Sequence, residues 1–236
     1  MADLTPLPPQ VQRKSLGDQV YDSIRESIVS LRLAPGSMIY ENVLAETLQV
    51  SRTPIREAIR LLVNEQLLEV MPQRGTRIAL ISERKVGEAR FIREHLELGA
   101  FRLAARLWNE PAHQHQAVAE QIERLMQEQR LAAEQGDVAL FLQLDESFHQ
   151  AIIHVTSNET LLQVICHMRG HLNRVRFLAM KELRQMDRVM EEHQALFAAI
   201  RQGNEALTAE LLQQHVGKLD HELPELRELY PNYFTV

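Results

Sequence analysis

The sequence predicts a mostly α-helical chain in two parts: three helices closed by a β-hairpin within the first 80 residues, then an antiparallel all-helical bundle. Three observations carry this reading. Apolar residues recur at spacings of three and four over most of the chain. Two short strand-like runs, Leu67 to Met71 and Thr76 to Leu80, flank Pro72-Gln73-Arg74-Gly75, whose glycine permits a tight reversal. From Ser82 to the end the pattern is nearly uninterrupted helix.

Taken in order, residues 1–14 carry Pro6, Pro8 and Pro9 and no apolar period, which predicts a disordered lead. Val20, Ile24, Ile28 and Leu31 then mark one face of a helix that ends at Ala34-Pro35-Gly36. A short helix is expected from Glu41 to Leu48. Ser51 or Thr53 can cap a third, and Pro54 fits its first turn because its missing N–H would be unpaired there in any case. That helix runs to Leu62 or Val63 and leads into the hairpin. Three helices plus a hairpin make a winged helix-turn-helix over residues 15–80. Residues 81–236 form the second domain, with breaks expected near Pro111, Gly136, Ser157, Lys181 and Gly203 and therefore about six helices.

Bulk properties exclude several classes. With 45% hydrophobic and 25% charged residues the chain reads as an ordinary globular protein. It has no apolar run of the roughly 20 residues that a membrane span needs and no secretory leader, so a cytoplasmic location is expected. The single cysteine, Cys166 in LLQVICHM, has no internal partner and reads as packed in a core. Residues 1–80 hold nine Lys and Arg against nine Asp and Glu; the remaining 17 of 26 basic and 23 of 32 acidic residues lie beyond them. The net charge of −6 thus belongs to the second part, and the first part is free to carry a local basic face.

Arg52, Arg56 and Arg60 form that face, with Arg74 and Arg77 in the hairpin. A helix entering the major groove needs long donors near its N-terminus, and Ser51, Arg52, Thr53 and Arg56 supply them. Cations at a helix N-terminus oppose the helix dipole, a conflict that a bound phosphate relieves. The hairpin residues Gln73, Arg74 and Thr76 can follow the minor groove or backbone. In the second part Asp145 and His149, four residues apart, share one helix face, and His193 and His215 sit on two later helices. All four can project into a bundle interior, where three nitrogens and one oxygen suit zinc, nickel, cobalt or manganese. The spacing alone is also that of an ordinary surface pair. The other histidines, His95, His113, His115, His154, His167, His171 and His221, read as solvated or singly hydrogen-bonded.

The run APGSMIYENVLAETLQVSRTPIREAIRLLVNEQLLEVMPQRGTRI resembles the winged helix-turn-helix of the GntR superfamily. The resemblance implies operator contacts from Arg52, Thr53, Arg56, Arg74 and Gly75, and from Asn42, where the family often has arginine. From Val86 to Leu223, segments such as IREHLELGAFRLAA, LDESFHQAIIHVTSNETL and EEHQALFAAIRQGNEALTAELLQQH are similar to the FCD ligand-binding domain of the FadR-type branch. That similarity implies a divalent metal, zinc foremost, held by Asp145, His149, His193 and His215, and a small organic acid as effector. It places Arg93 and Arg176 at the effector, where bidentate pairing with a carboxylate gives them a role; the plainer alternative for Arg93 is a surface salt bridge to Glu97. Asn158, also carried over, precedes an apolar helix that it can cap.

Together these features describe a homodimeric repressor that binds double-stranded operator DNA and responds to a carboxylate. The competing reading is a metal-dependent hydrolase in which the His3Asp site activates water, with Glu192 or Glu97 as base. No nucleophile motif, phosphate-binding glycine loop or cofactor fingerprint accompanies it. A closed structural metal is a third.

Overall fold

A computed structural model describes residues 15–108 and 114–235. The expected lead over residues 1–14, the break at Pro111 and His113 lie outside the described residues. The first domain is built from α1 (Leu16–Val29), β1 (Met38–Ile39), α2 (Glu41–Leu48), α3 (Arg52–Asn64), β2 (Leu68–Met71) and β3 (Gly75–Ile78). A capping box between Ser15 and Asp18 starts α1. Its buried face, Val20, Ile24 and Ile28, meets Ile55, Ala58 and Leu62 of α3, so the period read from the sequence is the packing face.

The sheet has order β1-β3-β2, all antiparallel, with Met38 opposite Arg77 and Val70 opposite Thr76. The sequence reading missed β1, because two residues are too short to show alternation. At the wing turn Gln73 and Gly75 both have positive φ, 62° and 109°, and only glycine is at ease at the second value.

The second domain holds α4 (Glu83–Trp108), α5 (Gln114–Gln135), α6 (Val138–His154), α7 (Glu159–Met168), α8 (Gly170–Glu182), α9 (Met186–Arg201), α10 (Glu205–Gly217) and α11 (Leu219–Leu229). Eight described helices replace the expected six. The two unforeseen breaks, at Arg169 and Lys218, keep near-helical dihedrals (−77°, −11° and −58°, −34°), and the glycines beside them, Gly170 and Gly217, lie within the flanking helices. Phe101, Ile122, Phe148, Ile152, Leu196 and Ile200 fill the core. Cys166 is only half-buried, contrary to expectation, because α7 turns its neighbour Ile165 inward instead.

The domains meet at the start of α8. A Cβ at Gly170 would lie 2.8 Å from Leu67 Cδ2, so the close approach requires glycine. Arg174, fully buried, donates to the carbonyls of Ala79 (2.5 Å) and Leu80 (3.4 Å). His171, expected to be solvated or to make one bond, is buried against Arg174 Nη2 (2.7 Å) on one ring nitrogen and the Gln66 carbonyl (3.0 Å) on the other. Near the chain's end, Thr235 N–H donates to the Ile81 carbonyl (3.0 Å) and Ile81 N–H to that of Tyr233 (2.8 Å), strapping the interdomain segment down. Among the described residues no helix is long and apolar enough to cross a membrane.

Candidate functional site

Helix α3 buries Pro54, Ile55, Ala58, Ile59 and Leu62 and turns Ser51, Arg52, Thr53, Arg56 and Arg60 to solvent. Ser51 holds the cap position in extended backbone, but its side chain makes no capping bond, and the first turn carries no acid. The polar end expected of a recognition helix is therefore presented outward with its donors available. Arg56 pairs with Glu41 at 2.8 Å, an exposed contact of small energetic value. Asn42 on α2 and Arg74 and Gly75 on the wing are exposed, while Thr76 is half-buried in β3. Arg77 is engaged by Glu69 across the hairpin at 2.5 Å.

The second cluster is inside the bundle. Asp145 and His149 come from α6, His193 from α9 and His215 from α10; all are buried, and one ligand atom from each lies within 4.8 Å of the others. Each ring is held from behind. His193 Nδ1–H donates to Gln129 Oε1 (3.0 Å), His215 Nδ1–H donates to Glu192 Oε2 (2.9 Å), and His149 Nδ1 lies 2.8 Å from Glu97 Oε2. With the three Nδ1 protons so placed, the three Nε2 lone pairs point inward. His149 Nε2 and His215 Nε2 face each other at 3.2 Å, and His193 Nε2 and Asp145 Oδ1 are buried with no hydrogen-bond partner. Acceptors that converge without a donor are unfavourable by themselves and are what a cation relieves, so these residues fit a divalent metal.

Protonation states agree with that. Burial pushes His149, His193 and His215 below the ordinary imidazole value, with mutual repulsion adding to it for His193 and His215, so the rings are held neutral. Burial alone would raise the Asp145 carboxyl, but the charge of Arg176, with that of Arg93 behind it, holds it well below the usual range. Glu97 is likewise held ionised against burial by Arg93, His149 and Arg169.

Arg93 and Arg176 both border the cluster. Arg176 pairs with Asp145 Oδ2, while Arg93 pairs with Glu97 (2.9 Å) and also approaches His149 Nε2 (3.1 Å). The Arg93–Glu97 pair foreseen as a surface salt bridge is thus made, but buried. A cavity of about 60 Å³ lies beside the cluster and is bordered by Arg90, Arg93, Arg176, His215, Lys218 and Glu222. Sequence reasoning missed Gln129 and Arg169, the latter donating to Glu97 at 3.3 Å; neither has a spacing that marks it. Glu192 and Glu97, the two candidate bases of a hydrolase, are occupied in orienting histidines. Asn158 caps α7 through Leu161 N–H (3.0 Å).

Two family models match the chain. Residues 16–78 match the model of bacterial regulatory proteins of the gntR family, and residues 88–218 match the FCD domain. An uncharacterised HTH-type transcriptional regulator from an unstable DNA locus of Streptomyces ambofaciens is 31% identical, covering 92% of this chain and 88% of its own length. The HTH-type transcriptional repressor RspR of Escherichia coli K12 is 26% identical over 93% of this chain and 94% of its own. Among solved structures, E. coli McbR/YncC superposes with a TM-score of 0.77 at 24% identity, covering 92% of this chain and all of that one.

Proposed function

The chain belongs to the gntR family of bacterial regulatory proteins and carries an FCD domain, and on that premise we propose that it is a repressor whose hold on operator DNA changes when a small carboxylate binds beside a metal ion. Its relatives are transcriptional regulators and not enzymes. The observation that carries the reading is the convergence of Asp145, His149, His193 and His215 in the bundle interior, with Asp145 Oδ1 and His193 Nε2 buried without a hydrogen-bond partner, set against a cavity edged by Arg93 and Arg176. These four residues would hold the ion, with zinc the first candidate for a donor set of three imidazoles and one carboxylate. A bound ion would supply positive charge for a carboxylate to join. Arg93 and Arg176 would orient that carboxylate through paired N–H donors.

The domains divide near residue 80, and two copies pair so that Arg52, Thr53 and Arg56 of each enter successive major grooves, with Ser51, Asn42, Arg74, Gly75 and Thr76 on the backbone. Half-sites would lie about one helical turn, roughly 10 bp, apart. The link between sites is α8, which carries Arg176 at the cavity and His171 and Arg174 at the domain joint. A ligand that prefers one setting of α8 shifts the population of DNA-competent dimers by its difference in affinity.

Elemental analysis of the purified protein, paired with fluorescence anisotropy against DNA flanking its own gene, tests the proposal. About one metal per chain and salt-sensitive specific binding are expected. Metal retained in full by the His193→Ala, His215→Ala double variant would discard the ligand set, and metal with no DNA binding would discard the regulator.

A further inference from the structure

The cavity beside the metal-ligand cluster has two unlike sides. Its polar side is the one already described, the guanidinium groups of Arg90, Arg93 and Arg176 with the neutral His215. Its other wall is Leu172, Ala179, Met180, Val189, Val216 and Leu219. Leu172, Ala179 and Met180 lie on the same helix as Arg176, at offsets of four, three and four residues from it, so the helix that presents the guanidinium also presents the apolar surface next to it. Polar groups reappear only at Gln185, Lys218 and Glu222, which also border a wider depression on the outside and so mark the mouth. Of these, Lys218 is engaged by Glu192.

From this we infer that the effector is a carboxylate with an apolar body, and that polyhydroxylated acids of the same size are excluded. A hydroxyl turned to the apolar wall would give up its bonds to water and find no donor or acceptor in return, a cost that an alkyl chain does not incur. Size follows from the volume. At about 10–15 Å³ for each water centre, a cavity of about 60 Å³ holds roughly four to six waters. A short-chain acid suits a space of that size. None of the wall side chains is a proposed metal ligand, so the wall can be altered while the ligand set is kept.

The inference rests on the carboxylate reading above, and the test separates the two. Zinc-loaded full-length protein is titrated calorimetrically with the straight-chain acids from acetate to octanoate, and with glycerate as the hydroxylated match for pentanoate. Affinity is expected to rise about fourfold per added methylene, to stop rising before octanoate as the cavity fills, and to favour pentanoate over glycerate by at least tenfold. Val189→Thr, which keeps the shape of the wall and adds a hydroxyl, should narrow that preference severalfold. Equal or tighter binding of glycerate would overturn the apolar assignment and leave the carboxylate reading standing. Binding of none of these acids would overturn both. The wild-type series decides the matter even if the variant folds poorly.

Discussion

Arginine does opposite work in the two halves of this molecule. On α3 Arg52 and Arg56 stand in solvent, and the ion pair of Arg56 with Glu41 is exposed. In the bundle and at its joint Arg93, Arg169, Arg174 and Arg176 are buried and tied to carboxylates, carbonyls and imidazoles. The contrast follows from solvation. A solvated guanidinium can wait for a phosphate at almost no cost, whereas a buried one is tolerable only with partners around it. The proposed reading face is therefore a set of independent side chains on a fixed helix, and the proposed sensing site is a coupled network in which each group holds another.

The network side of that comparison breaks most visibly at Glu97, which lies between Arg93, Arg169 and His149. Glu97→Ala leaves buried cations unpaired and should cost about 3–5 kcal/mol in urea unfolding. A loss below about 1 kcal/mol, the range of an exposed pair, would show that the network is not coupled. Next in size is the joint. Burial first, then Arg174, holds the His171 imidazole down at about 4 from the ordinary 6.5, and Lys85 adds in the same direction. The folded chain therefore refuses a proton that the unfolded chain accepts. Stability should be unaffected above pH 6.5 and fall as pH drops from 6.5 toward 4, by up to about 3 kcal/mol. Comparing wild type with His171→Gln isolates the effect; the same pH slope in both would remove His171 from the joint.

On the reading face the changes should add without coupling. Arg52→Ala and Arg56→Ala should each weaken operator binding by about 1–3 kcal/mol, seen in anisotropy titrations at fixed salt. Unfolding midpoints should stay within about 0.5 kcal/mol of wild type, as exposed positions allow. Normal operator affinity in both variants would take α3 out of the DNA reading.

How far the sequence could be read follows the same contrast. Amphipathic faces repeat every three or four residues, so α1 and α3 were legible nearly to the residue, and α2 was read at its full extent from Glu41 to Leu48. Asp145 and His149 were legible as a pair because one helix turn relates them. His193 and His215 were legible only as histidines on later helices until the FCD resemblance joined them. What stayed hidden was set by tertiary packing alone. Gln129 and Arg169 come from distant elements, and the breaks at Arg169 and Lys218 bend the chain within helical dihedrals. Of the ten histidines in the sequence, His171 shows the limit: its role depends on a carbonyl 105 residues away.

The smallest effect sharpens the comparison at a position that belongs to neither region. Asn158 accepts from Leu161 N–H at the start of α7, so one orphan donor of that helix is satisfied within the chain. If capping is its whole contribution, Asn158→Ala should cost about 1 kcal/mol of stability, and Asn158→Ser should restore most of it, because a hydroxyl can accept the same bond. Metal content, pentanoate binding and operator affinity should not move in either variant. An effect on pentanoate affinity that serine fails to rescue would mean that Asn158 reaches the ligand, and the sensing network would then extend past α6 to the start of α7.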